Sequence, residues 1–325
     1  MNNLLREALY NYEINQPQIE FIRHNENETY KIKDMLLNKQ YVIRLHKSSE
    51  DFSLDIFNFH QQSIEYLSSE INILNSIRNN TKIGVQMPIK NKYGEFVTIL
   101  SDGTPVTLLS WISGNTMENI QLNDYILFKL GAIVGEFHQF SKAWSESKNV
   151  SRYSYDKMLL RRMAFKLIYG LQLKVISSEQ FEIINHAINE ICNSIDQLDL
   201  KKKSKGIVHS DLAKSNIIVS DSGEITPIDF GLSGNSYYYM DLGSLFSHFN
   251  KPEQQSCILK GYKSIINEEI EIKYIEAFMV FQIILFISTH IENANKFEWF
   301  NSAINRWSKD FFIPFINNIR FIKNI

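Results

Sequence analysis

Residues 206–231 constrain this chain more tightly than any other stretch. Gly206-Ile207-Val208 is a short apolar run that leads to His209. Asp211 follows two positions later, and Asn216 five positions after that. Ile217-Ile218-Val219 reads as a strand, Asp221-Ser222-Gly223-Glu224 as a turn, and Ile225-Thr226-Pro227-Ile228 as a returning strand that ends in Asp229-Phe230-Gly231. β-Branched runs on either side of a glycine-bearing turn predict a hairpin. A hairpin of this length carries Asp211, Asn216 and Asp229 to one end of a small sheet. Two carboxylates and one carboxamide then gather around a common point.

That set of groups suits phosphoryl transfer. The group transferred is anionic, so catalysis consists mostly of positioning it and neutralising its charge with magnesium. Magnesium is a hard cation that prefers oxygen ligands and keeps several waters. Asp229 and Asn216 supply a carboxylate and an amide oxygen, which makes them the candidate metal ligands. Asp211 is then left to accept or orient the proton of an attacking hydroxyl, as the candidate catalytic residue.

The rest of the chain divides in two. The first third reads as strands with one helix. Thr29-Tyr30-Lys31-Ile32 and Tyr41-Val42-Ile43-Arg44-Leu45 predict a hairpin with a turn around Asn38. Ile64, Leu67, Ile71, Leu74 and Ile77 recur at helical spacing and predict an amphipathic helix over residues 60–78. Phe96-Val97-Thr98-Ile99-Leu100, a turn at Asp102-Gly103, and Val106-Thr107-Leu108-Leu109 predict a second hairpin. After Ser113-Gly114 the periodicity turns helical, over residues 121–145 and 155–197, and helices resume after the β interlude. Strands first, then helices with one strand-rich insert, imply an α+β arrangement of two lobes. Residues 1–110 would form the small β-rich lobe and residues 111–325 the larger helical one, hinged near residues 110–114.

Composition excludes several function classes. The net charge of -2 gives no global attraction to nucleic acid or to an anionic membrane. The run Lys201-Lys202-Lys203-Ser204-Lys205 is short and reads as a solvated loop. No G-x-x-x-x-G-K-[ST] loop, no G-x-G-x-x-G after a strand and no H-x-x-x-H pair occurs. Cys192 and Cys257 form no C-x-x-C pair and read as buried reduced thiols, which suits a cytoplasmic location. The first residues, Met1-Asn2-Asn3-Leu4-Leu5-Arg6-Glu7, carry an acid and no apolar run of signal-peptide length. The most apolar stretch, residues 277–288, is too short to span a bilayer and contains Gln282, so it is expected to be a core helix, not a membrane segment. Oligomeric state leaves no mark in the sequence.

The His209 to Asn216 run and the Asp229-Phe230-Gly231 element resemble the catalytic loop and D-F-G element of the protein-kinase-like superfamily. The run is most similar to the family that contains aminoglycoside phosphotransferases, choline kinases, type II homoserine kinases and certain bacterial stress-response protein kinases. In that family the loop commonly reads H-G-D-L-x-x-x-N, and here Ser210 replaces the glycine. The resemblance implies a bilobal protein-kinase-like fold with ATP and Mg2+ between the lobes. It implies that Arg44, on the strand that carries a Lys or Arg in the family, contacts the α/β-phosphates. Glu70 resembles the helix glutamate that pairs with that base, with Glu65 as the rival. Asn27 and Thr29, in a glycine-free stretch at residues 25–30, resemble the phosphate-covering loop, although the same stretch also reads as a polar turn. Leu108-Leu109-Ser110-Trp111-Ile112-Ser113-Gly114 resembles the hinge, where backbone groups of Ser110 and Ile112 would pair with adenine. Asp241 resembles the residue that supports the catalytic loop and is also a good helix N-cap. His138 and His209 read as packing or hydrogen-bonding groups.

A length bears on the acceptor. Only nine residues, 232–240, separate Gly231 from Asp241. A protein kinase places a long activation segment and an A-P-E motif there, and this chain has neither. The resemblance therefore implies a small-molecule hydroxyl acceptor: an aminoglycoside, homoserine, choline or a sugar-like alcohol. Glu268, Glu269, Glu271 and Glu276 are candidates for an acidic acceptor pocket, or for one solvated charged face. The late aromatics Phe278, Phe281, Phe286, Phe297, Trp299, Phe300, Trp307, Phe311 and Phe312 could stack on an acceptor, but at helical spacing most of them read as core. A stress-response-type protein Ser/Thr kinase and a catalytically silent nucleotide-binding scaffold stay open as alternatives.

Overall fold

The computed structural model describes residues 3–24, 27–47, 54–57 and 63–323. The chain opens with α1 (Asn3–Asn11), followed by β1 (Pro17–His24), β2 (Glu28–Asp34) and β3 (Lys39–Leu45). Then come α2 (Ile64–Asn80), β4 (Pro88–Ile89), β5 (Val97–Ile99) and β6 (Pro105–Ser110). The strands make one antiparallel sheet in the order β1-β2-β3-β6-β4, with β5 also paired to β6. Both expected hairpins are present. Asn38 turns the first in the left-handed region at φ 51°, and Gly103 turns the second at φ 88°. The expected helix begins at Ile64, where the Ser63 hydroxyl accepts from Tyr66 N at 3.2 Å. Residues 60–62 of that expectation lie outside the described ones.

The first third holds one helix more than its sequence suggests. α1 is nine residues long, too short to persist on propensity alone. Leu5, Ala8 and Leu9 are buried against Ile32, Ile43 and Val106 of the sheet, so packing stabilises it.

After β7 (Asn115–Thr116) the chain is mostly helical: α3 (Asp124–Ala143), a short β8 (Tyr153–Ser154), α4 (Lys157–Gln172) and α5 (Ser178–Asp199). The periodic stretch over 155–197 is thus two helices. The break falls where Lys174 takes φ 58° and where Ser177 and Gln180 form a capping box. Strands β9 (Lys205–Val208), β10 (Ile217–Val219) and β11 (Ile225–Pro227) are the predicted β interlude, and β10 and β11 pair as the predicted hairpin. A further strand, β12 (Gly234–Tyr237), pairs with β9 and β8. Its Gly-Asn-Ser-Tyr sequence has no β-branched residue, so its partners make it a strand. The helices α6 (Tyr239–His248), α7 (Pro252–Lys263), α8 (Ile272–His290), α9 (Trp299–Trp307) and α10 (Ile313–Ile316) complete the fold.

Two packing arrangements position the site. α2 ties the sheet to the helical part: Ile73, Leu74 and Ile77 pack with Leu109 of β6 and with Phe137, Ile207 and Phe230. α3 and α7 cross at backbone contact. A Cβ on Gly131 would sit 1.9 Å from the Ile258 carbonyl oxygen, and one on Gly261 1.9 Å from that of Phe128.

α8 corrects an expectation about length. With the turn that follows, it runs as Ile272–Lys296, 25 residues, long and apolar enough to cross a membrane. Burial supports the core-helix reading instead: 83% of its most apolar window lies inside the protein. Phe278, Phe281 and Ile284 share one core with Ile188 and Ile191 of α5. Cys192 and Cys257 are free thiols, half-buried where burial was expected.

Candidate active site

The loop that begins at His209 hangs from one buried carboxylate. Asp241 accepts from His209 N at 3.0 Å, from Ser210 N at 2.6 Å and from His138 Nε2 at 2.9 Å. His138 Nδ1 faces the Tyr262 hydroxyl at 2.8 Å. Burial by itself would raise the Asp241 pKa, but the His138 hydrogen bond and the neighbouring imidazole and N–H groups outweigh it and hold the carboxyl below its ordinary range. Asp241 supports the loop as the resemblance implies. It is not the N-cap, because α6 starts at Tyr239 and Asp241 lies inside its first turn.

Ser210 takes φ 63°, in the left-handed region. That conformation costs an L-residue about 1–2 kcal/mol, which is why glycine suits the position. The hydroxyl offsets the cost: Ser210 Oγ lies 2.6 Å from the Leu232 carbonyl oxygen and 2.7 Å from the Tyr155 hydroxyl. The Ser210 carbonyl accepts from Gln282 Nε2 at 2.6 Å, so the one amide in the apolar α8 props the loop.

The three residues singled out by spacing do converge. Asn216 Nδ2 donates to Asp211 Oδ2 at 2.7 Å and to the Asp211 carbonyl oxygen at 3.1 Å. With its nitrogen so committed, the amide leaves Oδ1 as its outward donor atom. Asn216 O also accepts from Ile228 N at 2.9 Å, which docks the start of the Asp229 segment onto the loop. His209 Nε2 donates to the Ile228 carbonyl oxygen at 3.0 Å, and Nδ1 accepts from Asp211 N at 3.3 Å. Asp229 takes φ 64°, beyond the end of β11. Burial and the nearby Asp229 carboxylate raise the Asp211 pKa. Burial would raise that of Asp229 too, but Arg23 and then Arg44 outweigh it and lower it.

The basic residue and its partner are also assembled. Arg44 donates to Glu70 Oε1 at 2.6 Å and stands 3.7 Å from Asp229 Oδ1. Burial opposes its charge, but the Glu70 and Asp229 carboxylates raise its pKa above the usual guanidinium value. Glu65, the rival, is exposed on α2, so Glu70 is the partner.

A cavity of about 180 Å³ lies beside these groups, lined by Asn27, Thr29, Arg44, Trp111, Ile112, Asn216 and Asp229 among others. Asn27 and Thr29 therefore do face the cleft, while Asn25 and Glu26 lie outside the described residues. The two hinge residues differ in their backbone partners. Ser110 N donates to the Met87 carbonyl at 2.8 Å, while the Ser110 carbonyl accepts from Gln86 Nε2 at 3.3 Å and keeps a second lone pair. Among the described residues the backbone of Ile112 finds no partner and borders the cavity.

On the other side of Asp211, Asn216 and Asp229 lies a cavity of about 770 Å³. Its far wall carries Phe286, Phe297, Trp307 and Phe311, with Gln282, His248 and His290 as polar groups. Phe278, Phe281, Phe300 and Phe312 are core instead. The four glutamates do not make an acidic pocket. Glu268 pairs with Lys142 at 2.5 Å, Glu271 pairs with Lys201 and Lys273, and Glu269 is exposed. Glu276 is buried and accepts from Phe321 N and Ile322 N at 2.9 Å, so it does not belong to a solvated face either.

Two site residues carried no motif. Arg152 is buried and donates to the carbonyl oxygens of Phe230 and Gly231 at 2.7 Å and of Ser233 at 2.9 Å, with its guanidinium 3.9 Å from the centre of the Tyr66 ring. It locks the Asp229 segment to α2. Nothing around Arg152 in sequence marks it. Arg23, whose guanidinium contacts Asp229 Oδ2, was marked only by being a cation after the apolar residues of β1.

Among the described residues no cluster of three or more His, Cys, Asp and Glu has metal-binding geometry. The donors at hand, one carboxylate and one amide oxygen, fit a hard cation that keeps waters, not a transition metal.

The fold recurs in solved structures. A microcompartment-associated aminopropanol kinase superposes with a TM-score of 0.75 at 17% identity, covering 98% of each chain. An amicoumacin kinase with AMP-PNP and Ca2+ gives a TM-score of 0.73 at 19% identity, over 98% of this chain and 95% of that one. A spectinomycin phosphotransferase with ADP and spectinomycin gives 0.64 at 15%, over 97% and 93%. At such identities the likeness establishes the bilobal kinase-like fold. No curated protein matches the sequence. The sequence model of one family does match, over residues 19–262, a span that holds the sheet, Arg44, Glu70 and the Asp211, Asn216 and Asp229 cluster, and the chain accordingly belongs to the Phosphotransferase enzyme family.

Proposed function

We propose that this protein transfers the γ-phosphoryl group of ATP to a hydroxyl of a small molecule. The observation that carries the reading is that Asn216 and Asp229 border both cavities, with Asp211 lining the larger one. A donor in the smaller cavity and an acceptor in the larger would meet at that junction. The solved relatives with AMP-PNP and with ADP and spectinomycin support the pairing of nucleotide and small molecule.

The chain's own groups account for the chemistry. Asp211 orients the acceptor hydroxyl and takes its proton, and a carboxyl with a raised pKa is a better base near neutrality than an ordinary one. Asn216 Oδ1 and the Asp229 carboxylate would hold magnesium, which supplies charge neutralisation on the phosphates. Arg44, held rigid by Glu70, presents its planar fork to phosphate oxygens. Ile112 offers a free backbone donor and acceptor to the adenine edge. The aromatic wall suits an acceptor with an apolar face better than a polycation.

The test is ADP release with aminoglycosides, homoserine, choline, aminopropanol, sugars and a generic protein substrate. Release with at least one small molecule is expected. Asp211→Asn should keep nucleotide affinity and lower turnover by about 10²-fold or more, the scale of a positioned acid–base group. Release with the protein substrate alone, or tight ATP binding with no release at all, would overturn the reading. The free thiols suit a reducing cytoplasm, which we propose as the location.

A further inference from the structure

We propose that Arg23 is a further catalytic residue, one that grips the phosphoryl group in transit; this rests on the phosphotransfer reading above. Arg23 lies at the end of β1 and reaches Asp229, 206 positions away in sequence. It borders the smaller cavity and the larger one, whereas Arg44 borders only the smaller. Among the described residues it is the cationic side chain common to both cavities, so it stands where a group passing between them must go.

The two arginines differ in exposure as well as in place. The Arg44 side chain is 6% exposed and tied to Glu70, while that of Arg23 is 39% exposed. Arg23 thus reaches the open cleft, whereas Arg44 is enclosed. Arg23 is a counter-ion of the Asp229 carboxylate here, and with that carboxylate holding a cation its guanidinium would turn to the phosphoryl oxygens. A planar fork of N–H donors matches those oxygens well. This also answers how a phosphate-covering turn works here, since residues 24–30 contain no glycine to let the backbone approach. In the step itself the acceptor oxygen bonds to phosphorus and the bond from phosphorus to the β–γ bridging oxygen breaks. The acceptor proton goes to Asp211, and the nucleoside diphosphate leaves. Arg23 forms no covalent bond and stabilises the charge spread over the three phosphoryl oxygens.

The test uses the full chain with Arg23→Ala and Arg23→Lys, read by calorimetry with adenosine, ADP and ATP in magnesium, by turnover, and by melting with magnesium alone. In Arg23→Ala, ATP affinity should fall by about tenfold or more, as for a lost charge-assisted hydrogen bond. Adenosine affinity should hold, and ADP affinity should fall less than that of ATP. The kcat for the best acceptor, or for slow hydrolysis by water, should fall by about 10³-fold, the lower end for a transition-state arginine. Arg23→Lys should restore only part of it. Magnesium alone should raise the melting temperature of Arg23→Ala more than that of the wild type. Wild-type kcat in Arg23→Ala, or equal losses of ATP and ADP affinity, would overturn the transfer role. An equal magnesium shift would overturn the exchange of partners. A wild-type protein that neither binds ATP nor releases ADP would instead sink the phosphotransfer reading itself.

Discussion

Ser210 and Asp241 show how single residues hold the reacting loop in shape. Ser210 keeps a left-handed backbone and compensates through its hydroxyl, which lies against Leu232 and Tyr155. Removing the hydroxyl while keeping Cβ should therefore hurt more than removing both. Ser210→Ala is expected to cost about 1–2 kcal/mol in urea unfolding, and Ser210→Gly less, because glycine pays nothing for φ > 0. If the two variants unfold alike, the left-handed backbone carries no strain, and if Ser210→Ala unfolds like the wild type, the hydroxyl contacts contribute nothing. Asp241 has a folded pKa below its unfolded one. Its stabilisation is thus fully present above the ordinary carboxylate pKa of about 3.9 and is lost as pH falls through the lower folded value. Melting temperature measured from pH 6 down to pH 3 should fall more steeply in the wild type than in Asp241→Asn. Parallel profiles would remove Asp241 as a source of acid sensitivity.

At the scale of elements, the question is what keeps α2 and the Asp229 segment in register. Arg152 does so, from the loop before β8, through carbonyl oxygens of residues 230, 231 and 233 and the face of Tyr66. The Tyr66 hydroxyl adds a bond to the Gly231 carbonyl at 2.7 Å. Arg152→Ala would remove its bonds to three buried carbonyls, of which Phe230 keeps Ser233 N and Oγ and Gly231 keeps the Tyr66 hydroxyl, so the loss is about 1–3 kcal/mol in all. The variant is expected to lose stability in urea and to weaken magnesium-dependent ATP binding more than adenosine binding. Loss of stability with an unchanged ratio of the two affinities would reduce Arg152 to a packing residue. Elements also explain where the sequence reading stopped short. The hairpin of β10 and β11 is a local object, readable from β-branched runs and a turn. α1 and β12 are not: one is a short helix held by the sheet, the other a glycine-led strand held by β8 and β9.

Over the whole molecule, the larger cavity is assembled from the catalytic loop, α6, α8, α9 and the segments beyond them. Phe286, Phe297, Trp307 and Phe311 come to it from separate turns of the chain, with Phe286 and Trp307 edge-to-face at 5.9 Å. Trp307→Ala should raise KM for an accepted substrate and leave ATP affinity unchanged, since no part of Trp307 borders the smaller cavity. An unchanged KM for every accepted substrate would remove this wall from acceptor binding.

By itself the sequence determined the reaction chemistry this chain is built for. Asp211, Asn216 and Asp229 are spaced along one loop and hairpin, and the backbone geometry of those few residues brings them together. Arg44 and Glu70 were legible for a similar reason, as single positions on a regular strand and a regular helix. Tertiary structure decided the rest. It chose Glu70 over Glu65, paired Ser110 N with Met87, left the late glutamates outside the larger cavity and turned four aromatics into it. It also brought Arg23 and Arg152 to Asp229 and its neighbours. Such contacts join residues tens to hundreds of positions apart, and which side chains meet there depends on how whole helices pack, a property no local pattern encodes.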